Sequence, residues 1–320
     1  MKRTANLIQN KRILITGCGG FIGGQLTNSL EKNNEIVIFD DFHRDETRNL
    51  QNTAHVTYVN GTVLDSEALH AAMERVDIVV HCAAVVGINT VGKLPIRTLD
   101  VNIKGSANVL DAAALHESVQ QVVCFSTSEI YGEYAVNVSE DDPASIGSPD
   151  QMRWMYALSK LAEEFYASAN YVQRGLPVTI LRPFNVFGPG QIGDGAIKTF
   201  IAKALKNEPI EIVGDGLQIR SWCYIQDFVT ATNLALGNDK SIGQTFNIGN
   251  PTNTVTIEFL AQTIIRLVGS SSKIHHIPAA KADVYVRIPD ISKAREYLDY
   301  QPEIGLEEGI LRTIESFTGS

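Results

Sequence analysis

The chain has 320 residues, 44% hydrophobic and 20% charged. That balance supports a sizeable core, excludes disorder and collagen-like structure, and at ~100 to 200 residues per domain suggests two domains or one large fold. With 27 Lys and Arg against 36 Asp and Glu, the net charge is −9, so no overall positive field draws it to nucleic acid or anionic lipid.

In chain order, short apolar runs alternate with helical patterns. Strands are predicted at Arg12–Thr16, Glu35–Phe39, Val56–Asn60, Asp77–Cys82, Gln121–Ser126 and Val178–Leu181, and helices at Phe21–Glu31, Ser66–Met73, Arg97–His116 and Trp154–Arg174. Nearly continuous β-branched runs suit parallel strands covered on both faces, so the first half reads as an α/β, Rossmann-type doubly wound parallel sheet. After Arg182, Gly/Pro clusters at 188–190, 193–195 and 214–216 separate shorter elements. These predict a smaller C-terminal α+β substrate domain over 182–320, after a nucleotide-binding domain over 1–181. Part of 224–248 returns to the first sheet, through a helix at Phe228–Leu236 and a strand at Thr245–Ile248.

No apolar signal core precedes the first strand, and no run reaches the ~18 apolar residues of a membrane helix, so a soluble, unexported protein without membrane partners is expected. Cys18, Cys82, Cys124 and Cys223 are scattered, without a C-x-x-C pair or a His at ligand spacing. This fits a reducing, cytoplasmic compartment and predicts no metal site. Glu140-Asp141-Asp142 reads as a solvated loop, and His275-His276 as a surface strand end.

Glycines 17, 20 and 23 follow the first strand and open the first helix. Alone, such a triplet marks only a turn. In this context Gly17 makes the tight turn, Gly20 admits a pyrophosphate and Gly23 lets helix and strand pack closely, with Phe21 and Ile22 opening the helix whose amides face the anion. Asp40 ends the second strand 23 residues after Gly17, near the ~20 expected for a carboxylate on the adenosine ribose. It would repel a 2′-phosphate, which favours NAD over NADP, although Arg44 keeps NADP open.

Tyr156 and Lys160 are four residues apart on one predicted helix face. The ammonium and an oxidised nicotinamide both favour the phenolate and would lower the tyrosine pKa from ~10, making Tyr156 a general base. Thr127 lies at the C-terminal end of the fifth strand, the edge where open α/β sheets bind ligands, and would bond the reacting oxygen.

Separated motifs now combine: TGCGGFIG from Thr16, HCAA from His81, STSEIYG from Ser126, YALSK from Tyr156, LRPFNVFGPG from Leu181, IRSWCYIQDF from Ile219, FNIGNP from Phe246 and RIPDISKA from Arg287. From about Lys11 to Phe317 the chain resembles an extended short-chain dehydrogenase/reductase of the nucleotide-sugar epimerase, dehydratase and decarboxylase group. The resemblance implies Thr127, Tyr156 and Lys160 as a catalytic triad, with Tyr156 and Lys160 also meeting bound NAD. It adds Ala83, Ala84, Thr62 and Val63 to the cofactor site and Ser128, Asn185, Arg220 and Arg287 to the sugar-nucleotide site. Gly61-Thr62-Val63 departs from the G-D-V/I run common in relatives, so a hydroxyl stands where an adenine-binding acid is usual. A homodimer through a four-helix interface of the helices at 97–116 and 154–174 is also implied.

Enzymes resembling this one oxidise the sugar at C4 with NAD before epimerising, dehydrating or decarboxylating it. Glu129 matches decarboxylases and dehydratases rather than plain hexose epimerases, and Arg287 matches the arginine that meets a uronate in decarboxylases. Arg153-Trp154 and Gly249-Asn250-Pro251 add to that likeness, whereas Gly190 replaces an arginine found in several of those enzymes. The leading expectation is a UDP-glucuronate decarboxylase type, with Glu129 joining the catalytic set. Alternatives are a UDP-glucuronate or UDP-hexose 4-epimerase, a 4,6- or 5,6-dehydratase and, from another class, a non-catalytic NAD-binding regulator.

Overall fold

The computed structural model describes residues 8–43, 55–193, 195–278 and 283–319. The apolar runs become β1 (Arg12–Thr16), β2 (Glu35–Asp40), β3 (Val56–Asn60), β4 (Ile78–His81) and β5 (Gln121–Phe125). Further along lie β6 (Tyr134–Val138), β7 (Val178–Pro183), β8 (Val186–Phe187), β9 (Ile210–Val213), β10 (Ile219–Ser221), β11 (Cys223–Tyr224), β12 (Gln244–Ile248), β13 (Thr254–Thr256), β14 (Ile274–Ile277) and β15 (Val286–Pro289). Seven strands form one parallel sheet in the order β12-β7-β5-β4-β1-β2-β3. Residues 13–15, 78–80 and 122–124 are all buried, as a sheet with both faces covered requires. Strand order reverses between β1 and β4, which opens a crevice at their C-terminal ends, beside the pair Thr16 and His81.

The helices before β7 are α1 (Phe21–Leu30), α2 (Ser66–Ala72), α3 (Ile88–Lys93), α4 (Pro95–Leu99), α5 (Ser106–Leu115) and α6 (Met155–Arg174), and the helix Ile225–Ala235 packs on β7 and α1. A π-helical stretch, Asp100–Gly105, joins α4 to α5, so the helix expected over 97–116 carries a local widening. The widening presents Asn102 inward. Its amide bonds both backbone groups of Val85, at 2.7 and 3.1 Å, and reaches Ser159 Oγ at 3.0 Å.

Helix α6 is inverted relative to its apolar periodicity. It buries Ser159, Lys160, Glu163, Glu164 and Asn170, while Leu158 and Phe165 point outward, Phe165 being 70% exposed. Buried charges on this face find partners: Glu164 takes two bonds from Arg182 of β7, at 2.7 and 2.9 Å. Arg182 also donates to Tyr131 Oη at 2.6 Å and to the Glu140 carbonyl at 3.1 Å, and Glu140 Oε1 accepts from Asn247 N at 2.6 Å. Glu140 is thus a tie between segments rather than part of a solvated loop.

Segments cross residue 181 in both directions. β12 flanks β7 in the large sheet, while β6 joins β15, β10 and β13 in a four-stranded sheet. That second sheet brings Arg287 of β15 and Arg220 of β10 into register with each other, near the end of the 3-10 turn Ser128–Tyr131 that follows β5. Among the described residues no helix is long and apolar enough to cross a membrane, and no cluster of three or more His, Cys, Asp or Glu has metal-binding geometry.

Candidate active site

The glycine loop is built by sterics. Gly17 has φ +70°, and a Cβ there would stand 2.5 Å from the Ala83 backbone; at Gly23 a Cβ would stand 2.5 Å from the Gly17 carbonyl. Gly20 caps α1 without a side chain, leaving the first-turn amides for an anion. Asp40 accepts from Gly19 N at 2.9 Å and Phe42 N at 2.8 Å, so the carboxylate ties the loop to the end of β2. Burial raises its pKa, against the pull of those two bonds. Its two oxygens keep lone pairs for a ribose hydroxyl.

A cavity of about 640 Å³ runs from this loop across the sheet edge. Gly17, Gly20, Phe21, Ile22, Gly23, Asp40, Thr62, Val63, Ala83 and Ala84 line it together with Thr127, Ser128, Glu129, Tyr156, Asn185 and Arg287. Residues separated by up to 270 positions therefore share one space of ligand size. Thr127 Oγ1 accepts from Glu129 N at 3.2 Å and starts the 3-10 turn, which aims Ser128 and Glu129 at the cavity. Asn185 is held at φ +40° by a bond from its amide to the Ser221 carbonyl at 2.8 Å. Thr62 Oγ1 accepts from Leu64 N at 3.3 Å. Arg44 lies outside the described residues.

Two expected residues do not line this cavity. Lys160 is drawn into the protein by an ion pair with Glu163. Arg220 turns its guanidinium to the carbonyls of Ile219 and Val284, 3.0 and 2.5 Å away, and lies 3.7 Å from Asp283. In the protein alone, burial outweighs the nearby Lys160 ammonium and pushes the Tyr156 pKa up to about 12.

Five charges meet around Glu129 and Arg287, the two of them that line the cavity. Arg287, 3% exposed, donates to Glu129 Oε1 at 2.9 Å. Arg153 stands 3.7 Å from Glu129 and 3.8 Å from Asp283, which also faces Arg220. Burial works to raise the Glu129 pKa, but Arg287 and then Arg153 outweigh it and hold the carboxyl below the usual range. Three guanidinium groups against two carboxylates leave one net positive charge. Arg153 has a sequence signal in the pair Arg153-Trp154, whereas Asp283, Arg97 and Asn102 stand in no motif. Arg97 lines the cavity and pairs with Asp41 at 3.3 Å; its place on the predicted helix at 97–116 was the only signal available.

A Rossmann-like sheet, a glycine loop at its switch point and a Tyr/Thr pair on the same cavity define a dinucleotide-dependent enzyme class. The model of the NAD dependent epimerase/dehydratase family matches residues 13–249, and the chain belongs to that family of enzymes. It is 35% identical, over 96% of its length and 98% of the relative's, to the UDP-N-acetyl-alpha-D-glucosaminuronate decarboxylase of Bacillus cytotoxicus. It is 33% identical to UDP-glucuronic acid decarboxylase 1 of Danio rerio, over 96% of this chain and 73% of that one. Among solved structures, the UDP-glucuronic acid 4-epimerase of Bacillus cereus, in complex with UDP-glucuronic acid and NAD, superposes with a TM-score of 0.89 at 29% identity, covering 96% and 99% of the two chains.

Proposed function

We propose that this enzyme binds NAD along the glycine loop and decarboxylates a UDP-linked hexuronate after oxidation at C4. The observation that carries the reading is the pair of buried Arg287 with half-buried Glu129, backed by Arg153, in the cavity that Thr127 and Tyr156 also line. Its single net positive charge complements one carboxylate. Likeness to two uronate decarboxylases supports the same reading.

The cradle fits NAD, because Gly20 leaves the first-turn amides of α1 without a side-chain cap and Asp40 disfavours a 2′-phosphate. When bound, NAD supplies the hydride acceptor and donor that the C4 chemistry needs. Gly17 to Gly23 hold the pyrophosphate, and Asp40 the adenosine ribose; Thr62, Val63, Ala83 and Ala84 pack around the cofactor. Ser128 and Asn185 orient the sugar nucleotide, and Tyr156 removes the C4 hydroxyl proton. Thr127 bonds the same oxygen. With C4 as a carbonyl, C6 is the carboxylate of a β-keto acid: the C5–C6 electron pair moves toward the C4 oxygen as CO2 leaves. Arg287, held in place by its bond to Glu129, orients that carboxylate.

A second reading, 4-epimerisation of the same uronate, is favoured by likeness to the Bacillus cereus epimerase. Incubation with NAD and, separately, UDP-glucuronate, UDP-N-acetylglucosaminuronate and UDP-glucose, followed by mass spectrometry and proton NMR, decides. Loss of CO2 from a uronate is expected; unchanged mass with inverted C4 selects the epimerase, loss of water a dehydratase, and NAD binding without any turnover refutes both readings. Tyr156→Phe is expected to keep NAD binding and lose roughly 10²- to 10⁴-fold in turnover.

We also propose that the outward apolar face of α6, with Leu158, Phe165 and Val172, pairs with its copy in a homodimer. A dimer by light scattering that Phe165→Glu converts to a monomer is expected, and a monomeric wild type at micromolar concentration refutes it.

A further inference from the structure

Among the described residues two arginines line the cavity. Arg287 is bound to Glu129, and Arg97 is bound to Asp41, the residue that follows the acid read as the ribose ligand. A carboxylate beside the adenosine ribose selects the free 2′-hydroxyl, whereas an arginine there accommodates a 2′-phosphate, because its planar fork matches phosphate oxygens. The cavity therefore carries both signals, and what the arginine is bound to decides between them.

The turn after β2 sets Asp41 for that task. Asp40 ends the strand with its oxygens on Gly19 N and Phe42 N. Asp41 Oδ1 accepts from His43 N at 3.1 Å, which fixes the side chain against its own turn, and Oδ2 accepts from Arg97 Nη2 at 3.3 Å. Arg97 comes from α4, 56 positions along the chain. The pair thus joins two elements that border the cavity, and Asp40, Asp41, His43 and Arg97 all line it. Its side chains are 46% and 43% exposed, and an ion pair so open to water contributes little to stability. Its effect falls on what enters the cavity beside it.

We propose that Asp41 is a specificity-determining residue, which by pairing with Arg97 withholds that guanidinium from a 2′-phosphate and keeps the site selective for NAD over NADP. The proposal rests on the reading that Asp40 meets the adenosine ribose of NAD. Asp40 opposes a 2′-phosphate by its charge, but an unpaired Arg97 would offset that charge and supply donors to the phosphate. With Asp41 in place, two carboxylates stand against one guanidinium whose fork is already engaged. Selectivity then comes from a repulsive acid and from occupation of the one group that would attract the wrong cofactor.

The test is calorimetric titration of NAD and NADP into wild type, Asp41→Asn, Arg97→Met and the double variant, with no sugar present. Asparagine keeps an oxygen for His43 N and removes the charge that holds Arg97. The preference for NAD, Kd of NADP over Kd of NAD, is expected to fall about thirtyfold or more in Asp41→Asn, through tighter NADP rather than weaker NAD. One arginine–phosphate bond accounts for about 10- to 150-fold of this, and the lost acidic charge for about fivefold. The double variant lacks the arginine and should show only the fivefold part, while Arg97→Met alone should raise the preference by leaving Asp41 unpaired. An unchanged preference in Asp41→Asn overturns the proposal, as does a fall no larger than that of the double variant, which would be charge alone. Equal weakening of both dinucleotides in Asp41→Asn also overturns it, since that is the mark of a merely structural pair. A wild type that binds NADP as tightly as NAD overturns the reading of Asp40 together with the proposal, whereas a selective wild type with an unchanged Asp41→Asn overturns the proposal alone.

Discussion

Replacing Arg287 by methionine keeps the bulk of the side chain and deletes the guanidinium that lines the cavity. In the native cluster Arg287, Arg153 and Arg220 face Glu129 and Asp283, and the variant converts one net positive charge to zero. Arg153 stays 3.7 Å from Glu129, so that acid keeps a partner and the protein folds, at a cost of about 1–3 kcal/mol for the lost bond to Glu129. The loss to a bound uronate is one charge-assisted interaction, about 1.5–3 kcal/mol, or roughly 10- to 150-fold in Kd. UDP-glucose has a hydroxyl in place of the carboxylate, and its Kd should change less than about threefold, because no charge is involved. Calorimetric titration of both ligands into NAD-loaded wild type and variant measures the two ratios. Equal weakening of both ligands, or no weakening of the uronate, would refute the assignment of this cluster to a carboxylate.

Gly17→Ala forces a Cβ to 2.5 Å from the Ala83 backbone at φ +70°. A stability loss of at least about 1–2 kcal/mol is expected, with at least tenfold weaker NAD binding, read by thermal melting and fluorescence titration; wild-type affinity would contradict the cradle. Arg182→Met strands Glu164 in the interior and should cost about 3–5 kcal/mol in urea unfolding, part of which Glu164→Met restores in the double variant; additive losses would contradict the pairing. Glu129 is depressed in the folded state, so it adds stability above its unfolded pKa of ~4.3, and this is lost as pH falls through the lower folded value. Acid unfolding of Glu129→Gln should therefore be shallower in that window, and an identical slope would show that the arginines do not hold the carboxylate.

Local rules carried a good part of this protein into view. Val, Ile and Leu runs bury wherever a strand is covered on both faces, so β1 to β5 and β7 follow from composition within one or two residues. Glycine is needed where a left-handed turn meets another backbone, and Gly17 declares that requirement by itself. Asp40 and the Tyr156/Lys160 spacing are likewise local, fixed by one strand or one helix.

Other features depend on pairings between segments far apart. The periodicity of α6 puts Leu158 and Phe165 on an apolar stripe without saying whether core or surface takes it; the fold turns that stripe outward and covers the charged face, because Arg182 and Ser106 arrive from β7 and α5 to satisfy it. Glu140 becomes a tie only because β12 brings Asn247 to it. Lys160 and Arg220 leave the cavity lining for partners at 163 and 284 that no motif marks. The charge cluster exists because β15 crosses back to β6 and β10, placing Arg287 beside Glu129, 158 residues away. By itself the sequence determined the sheet, the loop and the residue types of the chemistry, since these follow from backbone sterics and burial over short spans. Tertiary structure alone decided which buried charges neutralise one another, because a Coulomb interaction in a low-dielectric interior depends on a few ångströms that chain spacing does not encode.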